Sequence, residues 1–193
     1  MANILRFTQT VVNNEQVKGI FQEKIGAIFE KLIYPNMVIT EYDLEQFETA
    51  PDTYITNDLE EADSETRRRN CINLMHALSR NFNISTIVME IVNAELRKYE
   101  ENNWSAKVNV INFLIGAHAT QYTLRTGATK VSAKPGEIEH LLKTCIFPEL
   151  DKTKDLSKES TFIKTACLKY LFIFRNNIPA PWILVSSLIK DRN

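Results

Sequence analysis

Glycine and proline are scarce in this chain, five and six among 193 residues. An all-β fold draws on those residues for its tight turns, so a helical fold is expected. No apolar run approaches the roughly 20 residues needed to span a bilayer as a helix. The N-terminus lacks the charged stretch and apolar core of a secretory signal. It starts inside a helical pattern instead, with Ile4, Leu5, Phe7 and Val11, as expected if the natural chain began further upstream. The three cysteines, Cys71, Cys145 and Cys167, are odd in number and far apart, and they lie on apolar stripes. They read as reduced packing residues of an intracellular protein rather than as a disulfide framework.

Chemical signatures are missing as well. No GxxxxGK(S/T), GxGxxG, GxSxG or HExxH spacing occurs, so phosphate cradles, dinucleotide sites, serine elbows and zincin centres have no support. His76, His118 and His140 stand alone on different predicted helices, and no Cys or His pair has zinc spacing. The adjacent carboxylates Glu60 and Glu61 lie inside a polar run. Nothing apolar beside them would hold one protonated while its neighbour stays ionised, as acid–base catalysis requires. Neither an enzyme nor a bound cofactor or metal is expected.

What is present is charge, unevenly laid out. Hydrophobic residues at 44% and charged residues at 24% describe an ordinary globular chain, so wholesale disorder is excluded. Residues 1–106 carry 10 basic and 17 acidic side chains, whereas residues 107–193 carry 13 basic and 7 acidic ones. That split argues against general nucleic-acid binding, which needs a concentrated basic surface. Between Asn36 and Thr66 there are ten Asp or Glu residues and no Lys or Arg; then Arg67, Arg68 and Arg69 follow. A block of one charge stays solvated and often meets a partner of opposite sign.

Around that block the chain reads as successive amphipathic helices with a 3.6-residue apolar period. Thr161–Arg175 places Ile163, Ala166, Cys167, Tyr170, Leu171 and Phe174 in one stripe. Thr66–Phe82 does so with Cys71, Leu74, Met75, Leu78 and Phe82, leaving Arg67, Arg68 and Asn81 off it. Helices are also predicted over Ile25–Val38, Ser85–Tyr99, Ala106–Tyr122, Glu137–Leu150 and Pro181–Ile189. No strand is predicted. First helices of successive pairs begin near residues 24, 84, 137 and 180. Once the acidic stretch and the polar segment Thr123–Lys134 are set aside as loops, the period settles at about 40 residues, that of HEAT-type repeats. The expected architecture is all-α: a single run over 1–193 of about four HEAT-type helix pairs, with an acidic insert at about 39–65 and a polar loop at about 123–135. Both ends are apolar, as in a piece of a longer array; a compact helical bundle is the competing arrangement.

The acidic block admits two readings. In one it is a solvated loop before a helix capped by Asp63 or Ser64, whose exposed face carries Arg67–Arg69. Three arginines there oppose the positive end of the helix dipole, so carboxylates from the insert or from a partner should offset them. In the other, Tyr42, Leu44, Phe47, Tyr54, Ile55 and Leu59 dock the insert on the repeats, and it contacts a partner.

Certain residues carry a family resemblance. Tyr54-Ile55, Asp58-Leu59-Glu60, Asp63 and Thr66-Arg67-Arg68-Arg69 resemble the central motif of the nuclear export receptors for importin-α, the cellular apoptosis susceptibility branch of the karyopherin-β (exportin) family. Pro35-Asn36-Met37, Phe47-Glu48, Asn103-Trp104, Ile173-Phe174-Arg175-Asn176 and Leu184-Val185-Ser186 extend the likeness along nearly the whole chain. Thr49-Ala50-Pro51 and the segment around Thr126–Lys134 look peculiar to this sequence. Family members are several times longer, so the chain resembles an internal fragment. The resemblance implies a right-handed superhelix of HEAT repeats that shuttles between nucleus and cytoplasm. It would carry importin-α with Ran-GTP, with nuclear pore proteins as further partners and without membrane insertion. It places Asp58, Glu60, Asp63, Arg67, Arg68 and Arg69 among the candidates for Ran-GTP or importin-α contact; the arginines are equally read as ties between insert and helix. A HEAT-type scaffold unrelated to transport stays open as the alternative.

Overall fold

The computed structural model describes residues 2–14, 16, 18–59, 66–101, 103–123 and 127–178. It divides into two compact units, Met1–His118 and Ala119–Asn193.

In the first unit α1 (Ala2–Val11) packs on α6 (Arg67–Asn81) and buries Leu5. Helix α2 (Lys18–Ile28) runs without a break through a wide turn, Phe29–Ile33, into α3 (Tyr34–Met37). Pro35 causes the widening. A proline ring collides with the carbonyl four residues earlier, and a five-residue turn relieves the clash. The Tyr34 N–H accordingly reaches the Phe29 carbonyl. After Val38 come two short helices, α4 (Glu41–Thr49) and α5 (Pro51–Leu59), before α6 begins.

Helices α7 (Ser85–Glu100) and α8 (Trp104–His118) form a hairpin, and α8 also packs on α6. Flanked by both, α8 is buried at every position from Ala106 to Gly116. Such a helix is apolar nearly all round, which is why its sequence VNVINFLIG shows so weak a stripe. Gly116 permits the approach to α6: a Cβ there would lie 3.1 Å from Met75 Sδ.

The second unit opens with a β-hairpin, β1 (Ala119–Thr123) antiparallel to β2 (Gly127–Val131). The pairing runs Ala119↔Val131, Gln121↔Lys130, Tyr122↔Ala128 and Thr123↔Gly127, with register shifts on either side of Gln121. Helix α9 (Pro135–Leu141) continues through a second wide turn, Leu142–Ile146, into α10 (Phe147–Leu150). Pro148 repeats the part of Pro35, and Ile33-Tyr34-Pro35 matches Ile146-Phe147-Pro148. Helix α11 (Lys158–Phe174) starts on Ser157, whose hydroxyl accepts from the Ser160 N–H at 3.2 Å. Its Cys167, Tyr170 and Phe174 are fully buried, the last two rings 4.5 Å apart.

The helical architecture therefore stands, and the differences are local. The expected helix Ala106–Tyr122 stops at His118, and the polar segment after it is half of a hairpin rather than a loop. β-branched and aromatic residues (Thr120, Tyr122, Thr123, Thr129, Val131) favour extended backbone there, although Ile115, Ala119 and Tyr122 also fit a helical period. The acidic insert is not a loop over its described part; it forms α4 and α5. Thr66 caps α6, its hydroxyl accepting from the Arg69 N–H at 3.1 Å, in place of Asp63 or Ser64. Glu60, Asp63 and Ser64, like the segment Pro181–Ile189, lie outside the described residues. All three cysteines are buried and unbridged.

Candidate partner-binding site

The insert begins with a reciprocal cap. Thr40 and Asp43 form a capping box at the start of α4: the Thr40 N–H and hydroxyl donate to Asp43 Oδ2 at 2.8 and 2.7 Å, and the Asp43 N–H points back to Thr40 Oγ1. This fixes Asp43 on the inner side of α4, only 7% exposed. Phe47, one turn further, is also buried and meets the Tyr54 ring of α5 edge-on, centroids 5.6 Å apart. Aromatic contact thus holds α4 and α5 together while both turn toward α6.

Two of the three arginines meet them there. Arg67 pairs with Asp43 Oδ2, and its guanidinium also donates to the Pro35 carbonyl (3.3 Å), the Val38 carbonyl (3.2 Å) and Thr40 Oγ1 (3.2 Å). Arg68 pairs with Asp43 Oδ1 at 2.6 Å and with Asp58 Oδ1 at 3.1 Å, beside the Tyr54 hydroxyl at 3.5 Å. Two aspartates and two arginines form a charge-balanced clamp joining α4, α5 and α6. Arg68 is buried, at 7% exposure, so the expectation of three arginines on an exposed face does not hold for it. A buried guanidinium persists only when paired, and here the insert supplies both carboxylates. The opposition between the arginines and the α6 dipole is offset from within the chain.

Electrostatics follow from that packing. Burial opposes ionisation of Asp43, but Arg68, the Thr40 donors and Arg67 outweigh it and hold the carboxyl below the ordinary aspartate range. Burial likewise works against the Arg68 cation, and the oxygens of Tyr54, Asp58 and Asp43 more than restore it. Cys71, within the field of both arginines, stays a thiol because burial dominates and pushes it up to about 12. With Asp43 and Asp58 turned inward, Glu41, Glu45, Glu48 and Asp52 lie exposed on the outer side, next to exposed Tyr42.

The structure brings Asp58, Arg67 and Arg68 together. Arg69 is half-buried in the first turn of α6, and Glu60 and Asp63 are outside the described residues. Asp43 and Thr40 were not anticipated as members; a Thr-x-x-acidic spacing ahead of apolar residues is the signal that announces them. Among the described residues no group of His, Cys, Asp and Glu could hold a metal ion. No described helix is long and apolar enough to cross a membrane.

Helix pairs, interrupted by a charged insert clamped to the helix after it, define a HEAT-type repeat fold. Comparison with known proteins narrows this. The profile of the Cse1 family matches residues 1–189, and the chain belongs to that family. It is 32% identical to Exportin-2 of Drosophila melanogaster over 198 residues, covering 97% of this chain and 20% of that protein. Against Exportin-2 of Homo sapiens it is 31% identical over 193 residues, covering 96% and 20%. The Dictyostelium discoideum Exportin-2 gives 33% over 186 residues, covering 91% and 19%. The exportin Cse1 in its cargo-free, cytoplasmic state superposes with a TM-score of 0.85 at 22% identity, over 95% of this chain and 20% of that one, which shows the fold. The chain spans about a fifth of the length of these relatives.

Proposed function

We propose that this chain is a segment of a nuclear export receptor that returns importin-α to the cytoplasm in a Ran-GTP-dependent complex. It acts by protein–protein binding, without catalysis or cofactor, and shuttles between nucleus and cytoplasm. Membership of the Cse1 family and likeness to proteins named Exportin-2 support the transport role. The single structural observation behind the contact role is the division of the insert's carboxylates. Asp43 and Asp58 hold α6, while Glu41, Glu45, Glu48 and Asp52 face outward from a fixed backbone. An acidic face on a fixed backbone suits a partner rich in Lys and Arg, because the backbone that carries it needs no ordering on contact. In this reading Asp58, Arg67 and Arg68 hold the face in place, and Glu60, Asp63 and Arg69 are kept as further candidates for contact with Ran-GTP or importin-α.

The test uses the full-length parent and measures importin-α binding with and without Ran-GTP. Binding should be tighter with Ran-GTP. Neutralising Glu41, Glu45, Glu48 and Asp52 together should weaken the ternary complex by about tenfold or more at low salt, and by less at high salt. An unchanged affinity would remove the insert from the contact surface.

A further inference from the structure

A second polar cluster joins α3, α7 and α8 and is not part of the clamp. Glu95 on α7 is 1% exposed, yet its carboxylate takes three side-chain donors. The Tyr34 hydroxyl reaches Oε1 at 2.7 Å, Lys98 Nζ reaches the same oxygen at 2.5 Å, and Asn109 Nδ2 reaches Oε2 at 2.6 Å. Lys98 Nζ also donates to the Tyr34 hydroxyl at 2.6 Å. The Asn109 amide is therefore oriented: its NH2 is committed to Glu95, and its carbonyl oxygen faces the other way. That oxygen accepts the backbone N–H of Ile39 at 2.8 Å. Ile39 is the residue just before Thr40, the cap of α4. Its N–H lies past the end of α3 and ahead of α4, where no helical partner is available.

We infer that Asn109 and Glu95 are positioning residues for the acidic insert, fixing the start of α4 from the neighbouring α7–α8 pair. The clamp ties the insert to α6 through charge. The Glu95–Asn109–Ile39 relay ties it to the next pair through oriented hydrogen bonds. An amide that both donates to a buried carboxylate and accepts from backbone has one workable orientation, so it sets direction as well as distance. The insert is then registered against the α7–α8 pair as well as against α6. As a contact surface this rests on the transport reading, but the registration itself is a property of the free chain.

The experiment is hydrogen–deuterium exchange on the 193-residue chain, comparing wild type with Asn109→Leu and Glu95→Gln. Asn109→Leu keeps the volume and leaves the Ile39 N–H without its acceptor. Exchange across α4 and α5 should accelerate about tenfold or more, while the α6 core amides at Leu74 and Met75 keep their protection. Glu95→Gln turns an NH2 toward either Asn109 or Lys98, and it should accelerate α4 and α5 exchange in the same direction but less. Unchanged exchange in α4 and α5 in both variants overturns the inference. So does acceleration that is equal in α4–α5 and at Leu74 and Met75, which marks residues of general stability. Partner binding enters none of these readouts, so failure of the transport reading shows separately, in the importin-α measurement.

Discussion

At the residue scale Asp43 is the side chain on which most depends. It completes the capping box of α4, receives both arginines, and is shielded from water on the inner side of the insert. Asp43→Asn removes the charge and leaves Arg68 buried against Asp58 alone. Losing one partner of a buried pair costs about 3–5 kcal/mol, and we expect the low end here because Asp58 remains. Urea unfolding should show a lower midpoint, whereas Glu45→Gln on the exposed side should stay within about 0.5 kcal/mol of wild type. The pH dependence has a definite sign. The folded state holds Asp43 below its unfolded value of about 3.9, so its contribution is present above that pH. It fades as pH falls through the lowered folded value. The stability gap between wild type and Asp43→Asn should therefore be full at pH 7 and shrink below about pH 4. Cys71 offers an independent check on the core. With its thiol pushed up to about 12 by burial, it should resist a thiol reagent at pH 8 until the chain unfolds, despite the nearby arginines.

At the scale of elements, the sequence is legible wherever a helix is apolar on one side only. Cys167, Tyr170 and Phe174 are buried as their spacing requires, and so are Cys71, Leu74, Met75 and Leu78. It is less legible where periodicity is ambiguous or the deciding contact is distant. Residues 115–122 satisfy a helical period and a strand composition at once, and pairing with residues 127–131 decides between them. The insert's helices were hidden because ten carboxylates read as a loop, whereas Thr40, Asp43, Phe47 and Tyr54 supply a cap and an apolar seam. Nothing local in the arginine triplet says that Arg68 is the buried one; its partners lie 10 and 25 residues back. The two wide turns could be found from the repeated Ile-aromatic-Pro, since proline inside an apolar helical stretch demands relief. The hairpin yields a direct prediction. Gly127 has φ +70°, and a Cβ there would stand 3.0 Å from the Ile173 carbonyl oxygen. Gly127→Ala should destabilise the second unit by about 1–2 kcal/mol, from the left-handed backbone alone. A Cβ at Gly136, in the first turn of α9, meets nothing within 4 Å. Gly136→Ala should be neutral or stabilising by up to about 1 kcal/mol, and thermal melts of the two variants would separate these effects.

At the scale of the whole molecule, the chain is about a fifth of the proteins it resembles, and that proportion governs how tightly it can bind. The clamp and the relay make the insert a rigid patch, but one patch supplies one contact. If the parent grips importin-α through several repeats at once, each further contact forms at a high effective concentration, and overall affinity can exceed that of a single patch by about 10²- to 10⁴-fold. The isolated chain should therefore bind importin-α at least about a hundredfold more weakly than the full-length parent does with Ran-GTP. Its residual binding should weaken with salt, since an acidic face contributes mainly screened electrostatics. Calorimetric titration of importin-α into each protein, at two ionic strengths, measures both effects. Equal affinity for chain and parent would mean that these residues hold the whole binding site and that cargo is not gripped by several repeats.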